Sequence, residues 1–340
     1  MRIERFDPQA DRQRLRACYE LVVSGQAEDD PKVPPLSYGM FSGWWAYGMS
    51  GEPKEAWLAT AADGQPAGCY ELELPDRENQ TTAFLYPVVG LAGRRRGLGT
   101  ELVAHAAARA ELAGRTLLSA NARVGSPGAA FAAALGSNVG FREVRRVLDL
   151  GPELAASLPA LRAGAEPMAA GYRLRHWTGP APEDLIRQIC AIEDAMADAP
   201  HEDWYEPPTW DEDRIRAADR RQAAQGLRQY SIGALHERTG ELAALTQLEV
   251  DPAVDGWAFQ GLTAVTRAHR GHRLGMLLKV AMLEQLAGLE PQVRQIMTFN
   301  SADNEHMIAV NASLGHRVSD YFQGFELTVA AARTAAGVRV

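Results

Sequence analysis

The sequence predicts an α/β protein in which one folding unit is used twice, and three observations carry that reading. Leu98-Gly99 recurs as Leu274-Gly275 at an offset of 176, and Arg94 falls on Arg270 at the same offset. AALG at 133–136 meets ASLG at 312–315, and RIERF at 2–6 corresponds to YRLRHW at 172–177. Both halves also run in the same order, with several strand-like stretches followed by alternating helix and strand. A repeat at a fixed offset decides the architecture before any single element does, and this order indicates a mixed, mostly antiparallel sheet flanked by helices.

Each unit opens with a short strand (2–6; 172–177). A long polar-apolar helical region follows (11–48; 182–225), interrupted by PPLSY and by YEPPTW. Three β-branched or aromatic runs come next, EAWLAT, GCYELEL and AFLYPVV in the first unit, then YSIGAL, LAALTQLEV and WAFQGLTAV in the second. Turn residues bound each of them, as strands require. A basic glycine turn leads into a strong helix (98–112; 274–287), then a strand (117–121; 294–300), a shorter helix (127–135; 304–314) and a closing pair of strands. The Ala/Pro/Gly-rich stretch 151–171 is expected to join the copies with one short helix. The expected domains are thus 1–150 and 172–340.

Composition narrows the function. The chain has 340 residues, 46% hydrophobic and 23% charged, with a net charge of −8 and a pI near 5.6. An acidic chain has no global field toward nucleic acid or anionic membrane, so its basic clusters at 94–96 and 267–273 act locally. Cys18, Cys69 and Cys190 are isolated and fit neither a disulfide framework nor a metal set; no metal is expected. The first residues lack a signal-peptide core, and no run of about 18 apolar residues occurs. A cytoplasmic location is expected.

The turns GRRRGLG and HRGHRLG carry the chemistry. A Walker A loop needs Gly-Lys-Ser/Thr at the helix entrance, which neither copy has. A dinucleotide fingerprint follows the first strand of its unit and needs a third glycine, where Leu102 stands. What remains is R-x-x-G-x-G between a strand and a helix, reading Arg94, Gly97, Gly99 in the first copy. Successive backbone N–H groups and the positive end of the helix dipole make an anion cradle suited to a pyrophosphate. Glycine permits close backbone approach, and an arginine is expected to close over a phosphate.

In these residues the sequence resembles the GCN5-related N-acetyltransferase (GNAT) family, whose coenzyme A signature is [Q/R]-x-x-G-x-[G/A]. The second copy adds TFNSADNEHMIAVNASLGHRV, which resembles the family's N-x-x-A-x-x-L-Y-x-x-L-G-F segment at Asn304, Val310, Leu314 and Gly315. The resemblance spans essentially the whole chain as two tandem GNAT domains. It implies acetyl-CoA or a related acyl-CoA as cosubstrate and a small-molecule amine as acceptor. Binding is expected from Val89, Arg94, Arg95, Arg96, Gly97, Leu98, Gly99 and Thr100, and from Val265, Arg270, Gly271, His272, Arg273, Leu274, Gly275, Asn300 and Asn304. A backbone N–H near Val265 is expected to steady the oxyanion.

The second copy departs from the pattern. Arg273 stands where the signature has glycine, with Gly271 displaced. Asn311 occupies the place of the family's frequent tyrosine acid, and Ala132 does so in the first copy. WAFQGLTAV carries no carboxylate. The candidate base is therefore Glu249 and the candidate acid Tyr321, while His201, Glu202 and Asp203 are expected at the acceptor wall. The C-terminal copy is favoured as catalytic and the N-terminal one as structural; the alternative is a non-catalytic acyl-CoA-binding sensor.

Overall fold

The computed structural model describes residues 1–48, 51–198 and 200–335. In chain order the elements are β1 (Arg2–Phe6), α1 (Arg12–Asp29), α2 (Tyr38–Tyr47), β2 (Lys54–Thr60), β3 (Pro66–Glu73), β4 (Thr82–Val89), α3 (Leu98–Leu112), β5 (Leu117–Arg123), α4 (Pro127–Ala134) and β6 (Asn138–Asp149). Then follow α5 (Pro152–Ala165), β7 (Tyr172–Thr178), α6 (Ile186–Asp194), α7 (Glu212–Gln225), β8 (Arg228–His236), β9 (Leu242–Val250) and β10 (Trp257–Val265). The chain closes with α8 (Leu274–Leu289), β11 (Gln295–Ser301), α9 (Glu305–Ser313), β12 (Arg317–Thr328) and α10 (Val329–Ala335).

Helix starts are written in the sequence. Asp11, Ser37, Ser126, Asp211 and Asn304 each accept a hydrogen bond from the backbone N–H three residues on, capping α1, α2, α4, α7 and α9. Such caps satisfy one of the donors that a helix start leaves unpaired. The two helices that follow the basic turns, α3 and α8, have no side-chain cap.

The chain forms two compact units that interleave in sequence. The first comprises Met1–Arg142, Glu202–Glu206 and the chain from Tyr321; the second comprises Glu143–His201 and Pro207–Asp320. In the first, the sheet order is β1-β2-β3-β4-β5-β12, antiparallel except for β4–β5. In the second it is β7-β8-β9-β10-β11-β6, antiparallel except for β10–β11. Helices α3 and α8 supply the crossovers that parallel neighbours need.

Each unit's strand order therefore includes a strand from the other half of the sequence. Phe322–Thr328 of β12 pair with Arg123–Leu117, and Glu143–Asp149 of β6 pair with Ser301–Gln295. In place of a closing pair of strands, each copy has one strand of 12 residues, long enough to leave its own unit. The 151–171 stretch is more than a joint. Helix α5 packs against α8, and Ala165 and Ala169 lie in the second unit's core.

Both sheets carry a core on each face. In the first unit, α3 packs Leu102, Ala106 and Ala110 on Leu72, Leu85 and Leu118, while α1 and α2 set Leu15, Phe41 and Trp45 against Phe6 and Leu58. In the second, Leu274, Leu278 and Met282 of α8 meet Ile232, Leu248 and Ile296. On the opposite face Ile186, Ile189 and Ile215 meet Leu235 and Leu245.

The exchange has a direct consequence. Phe325 and Leu327 are buried in the first unit, and burying such a side chain is worth about 1.5–3 kcal/mol. Expressed alone, residues 1–150 lack both and leave β5 as an unpaired edge. That fragment is expected to show no cooperative thermal transition by circular dichroism, whereas the full chain does.

Candidate functional site

In both units the parallel pair is short. Thr82–Phe84 pair with Leu117–Ser119, and Trp257–Phe259 with Gln295–Met297. Beyond these three positions the strands part, so a wedge opens in each sheet in front of the basic turn and the uncapped helix.

The two turns share one backbone. Arg94 and Arg270 are extended, with φ −66° and −68°. The next position is left-handed in both, Arg95 at φ 60° and Gly271 at φ 86°, and so is the one two further on, Gly97 at φ 84° and Arg273 at φ 53°. Each turn thus needs two left-handed residues, and each spends glycine on only one of them. The displaced glycine of the second copy is a glycine at the other left-handed site, and Arg273 takes the strain. Alternation of this kind turns successive N–H groups toward one concavity. The first-turn N–H groups of α3 and α8 add to it.

The arginine side chains do something other than expected. Arg94 makes two hydrogen bonds to Asp29, 2.8 and 2.7 Å, and Arg270 donates to Asp198 at 2.7 Å. The signature arginine ties its turn to the last residue of α1 in the first copy and to an acid just after α6 in the second. His272 shares a 3.1 Å hydrogen bond with the Met168 carbonyl, and Arg273 donates to the Gly164 carbonyl at 3.4 Å. These side chains secure the second turn on the end of α5, so its anion-facing groups are backbone N–H. Arg95 and Arg96 are exposed; Leu98 and Leu274 are buried under the helix start.

Beyond the turn the copies diverge. In β10 the register against β9 slips between Gln260 and Thr263, so Gly261 and Leu262 stand opposite Gln247 alone. Such a bulge bends the strand and re-aims its backbone groups. Gln260 holds it by donating to the Gln247 carbonyl (2.5 Å) and to Thr246 (3.2 Å). In β4 the register against β3 runs unbroken from Phe84 to Val89. The space over the helix start differs too. A Cβ on Gly99 would lie 3.1 Å from the Phe131 ring, whereas a Cβ on Gly275 would meet nothing closer than Val265 at 4.0 Å. Gly99 is closely covered by that ring. Gly275 leaves its surface open.

The faces opposite α3 and α8 also differ. In the first unit Trp204 packs on Phe84 with ring centroids 6.4 Å apart and donates to Glu326 at 2.6 Å. Asn79 and Glu206 exchange three hydrogen bonds of 2.8–2.9 Å beside it. In the second unit this face holds Glu249, to which Gln222 donates at 2.6 Å. Glu249 stands opposite Phe259 in the β9–β10 register, next to the bulge. Burial raises its pKa above the usual carboxylate range, against the pull of Arg221 and Gln222. Glu193 on α6 is pushed up to about 7 by burial and by Asp194, with Arg221 again opposing. Sequence reasoning missed Glu193, although it sits seven residues after Ile186 and four after Ile189, on the apolar stripe of α6. A carboxylate inside such a stripe is the signal that could have found it.

The other expected residues separate. Val89 and Val265 end the strands just before the turns, and Thr100 lies in the first turn of α3. Asn304 caps α9 through Met307 N–H. Asn300 accepts from Asn311 at 2.7 Å, so the residue in the tyrosine's place is buried in a side-chain pair. Tyr321 falls in the first unit, is 52% exposed, and its carbonyl accepts from Val124 there. Glu202 and Asp203 also belong to the first unit. Glu202 accepts from the Phe141 N–H there, and His201 and Asp203 are exposed. Of the expected acceptor wall at 201–203, only His201 lies in the second unit. The pull came from Asn79 and Glu326, partners remote in sequence.

Comparison with known proteins agrees with this geometry. Residues 15–136 match the Acetyltransferase (GNAT) family model. A tandem GNAT protein from the clavulanic acid biosynthesis pathway superposes with a TM-score of 0.81 at 30% identity, over 96% of this chain and 98% of that one. A GCN5-related N-acetyltransferase from Sphaerobacter thermophilus superposes at 0.64, with 16% identity over 96% and 95%. No curated protein sequence matches. The chain belongs to the GNAT family, as a tandem two-domain member, and its fold is that of acyl-CoA-dependent acyl transfer. Among the described residues no helix is long and apolar enough to cross a membrane.

The shared backbone of the turns is testable. A left-handed non-glycine residue costs roughly 1–2 kcal/mol, so Gly97→Val and Gly271→Val are each expected to lower stability by about that much in urea titrations. Arg273→Gly is expected to leave stability equal or higher.

Proposed function

We propose that the protein transfers an acyl group from acyl-CoA to the amine of a small molecule in the wedge of the second unit, and that the first unit's wedge is structural. The observation that carries this reading is the bulge at Gly261-Leu262, present in β10 and missing from β4. The thioester carbonyl needs an N–H directed at the oxygen on which charge develops, and a bulge supplies a re-aimed backbone beside the parted strands. Gly275, open above the helix start, leaves room for the pyrophosphate on the N–H groups of residues 271–275.

The chain's own groups then divide the work. The acceptor amine loses a proton to Glu249, which burial makes a stronger base than an exposed carboxylate. Its nitrogen attacks the thioester carbon, the C–S bond breaks, and the thiolate leaves with a proton from solvent or from the newly bonded nitrogen, which remains as the amide. Direct transfer requires no cysteine nucleophile, and Cys18, Cys69 and Cys190 are all buried. Arg221 faces both Glu249 and Glu193 and keeps either from being held fully protonated. The acidic face suits a cationic acceptor. In the first unit Trp204 occupies the corresponding face, which supports a structural role there.

The test is acyl-CoA-dependent thiol release over a panel of small amines. The Cβ of Gly275→Ala would meet nothing closer than Val265 at 4.0 Å, so this variant is expected to fold normally, and Gly275→Val to lose about ten-fold or more in acyl-CoA affinity with the phosphate contacts blocked. Gly99→Val must displace the Phe131 ring and is expected to lower stability by about 1–3 kcal/mol, with turnover per folded molecule unchanged. The reverse pattern would assign catalysis to the first unit. Binding of acyl-CoA without thiol release from any amine would favour a sensor, the reading that Asn311 in the tyrosine's place supports.

The pH dependence follows from the direction of the Glu249 shift. A carboxyl with raised pKa stays protonated to higher pH, so the rate is expected to rise as pH passes its ionisation, above the usual carboxylate range. Glu249→Gln is expected to reduce kcat about a hundred-fold or more and to remove that rise. An unchanged pH–rate profile in this variant would dismiss Glu249 as the base.

A further inference from the structure

Three of the chain's eight histidines meet at the second turn. His269 and His272 belong to the turn itself, and His236 ends β8 directly opposite Tyr172 of β7. The Tyr172 ring lies 5.6 Å from that of His269, 5.4 Å from His272 and 5.3 Å from His236. The rings of His236 and His269 are 5.5 Å apart. Glu241, on the β8–β9 hairpin, faces them, with a carboxylate oxygen 3.4 Å from His269 Nε2. The neighbouring charges are turned elsewhere. Arg270 goes to Asp198, Arg273 to the Gly164 carbonyl, and Glu166, behind the turn, to Arg162. Glu237 and Arg238 of the hairpin and Arg267 of the turn are exposed.

Each imidazole is bonded so that it can gain a proton without losing a partner. His269 Nδ1 is 2.8 Å from the Tyr172 hydroxyl, which donates to a neutral ring and accepts from a charged one. His236 Nδ1 shares 2.9 Å with the Thr239 hydroxyl, equally able to take either role. His272 Nδ1 is 3.1 Å from the Met168 carbonyl, which only accepts, so Nδ1 carries the hydrogen and Nε2 takes any second proton. What opposes charging is company. Rings gathered around one tyrosine repel each other once more than one is protonated. Phosphate charges on the N–H groups of residues 271–275 would offset that repulsion. The fold does not need the cluster, because at the 176 offset His269 corresponds to Gly93 and His272 to Arg96. The first turn has a permanent charge where the second has one that titrates.

Resting on the reading of this turn as a pyrophosphate site, we propose that ligand binding to the second unit is coupled to proton uptake by His272 and His269. Affinity then falls as pH rises through the range in which imidazole loses its charge. Linkage sets the sign: a ligand that draws protons onto its site binds more weakly as protons become scarce. Binding and chemistry respond to pH in opposite ways. Glu249 loses its proton to act as base, whereas the turn gains one to hold the ligand, so kcat and KM both rise with pH.

The experiment is calorimetric titration of the full chain with dephospho-CoA, in two buffers of different ionisation enthalpy at about pH 6.5. This ligand keeps the pyrophosphate and lacks the 3′-phosphate, whose own ionisation near pH 6 would mask that of the protein. Wild type is expected to take up about one proton per ligand, and to bind about five- to ten-fold more weakly at about pH 8 than at about pH 6. His272→Gln, at an exposed position, is expected to fold normally and lose about half of the uptake, and His269→Gln to lose most of the remainder. In wild type, the ring-nitrogen NMR shifts of both imidazoles are expected to move toward the charged form when ligand is added at fixed pH. That measurement decides the matter even where His269→Gln does not fold. Binding without proton uptake, or imidazole shifts that ignore the ligand, overturns the proposal. If Gly275→Val leaves binding undiminished, or wild type binds no dephospho-CoA at any pH, the reading of the wedge fails and the proposal with it.

Discussion

A parallel pair of strands that stays paired for only three residues is the constraint on which the rest depends. Where β4 leaves β5, and β10 leaves β11, two rows of backbone donors and acceptors lose their ladder partners. Buried backbone groups have to be satisfied by something. The sheet supports such an opening only because the outer strand of each pair is held on its other side, β5 by residues 322–328 and β11 by residues 143–149. The wedge, the exchange of closing strands and the long β6 and β12 are therefore one solution. The crossover helix follows directly, and its uncapped start faces the opening.

Given two such wedges, the differences between them say what each is for. The turns have kept the same dihedral pattern while exchanging which left-handed position holds glycine. The backbone geometry is thus the retained property, and the glycine count follows it. Behind the turn, the first unit has filled its space with Phe131 over Gly99, Trp204 over Phe84 and apolar side chains at Val103 and Phe325. The second has kept an open Gly275, a bulge, raised carboxylates on one face and buried basic side chains on the other. Lys279, pushed down to about 8 by burial, and His316, pushed down to about 3, both show an environment in which positive charge is costly. Packing tolerates such groups poorly, and a chain that needed only stability would have replaced them as the first unit has.

Much of this was legible in the sequence, and the parts that were not share a cause. The repeat, the strand–turn–helix passage and the cap at Asn304 are local, and local patterns are written residue by residue. Strand exchange is not local. Both β6 and β12 read as ordinary strands, and nothing in their alternation says which neighbour they join. The 201–206 stretch was legible as an acidic loop, but its docking depends on Asn79 and Glu326, more than a hundred residues away in each direction. Arg94 and Arg270 were read by charge as phosphate ligands; Asp29 and Asp198, also remote, claim them. Glu193 and Lys279 had a sequence signal, a charge set within an apolar helical face, and it could have been read.

The most direct measurement is a crystal structure of the full chain grown with a non-transferable thioether analogue of acyl-CoA at saturating concentration. The account predicts an analogue in the second wedge, its pyrophosphate on the N–H groups of residues 271–275 and its acyl carbonyl against the backbone at Gly261-Leu262. An analogue seated in the first wedge alone, with the second closed to it, would contradict the account.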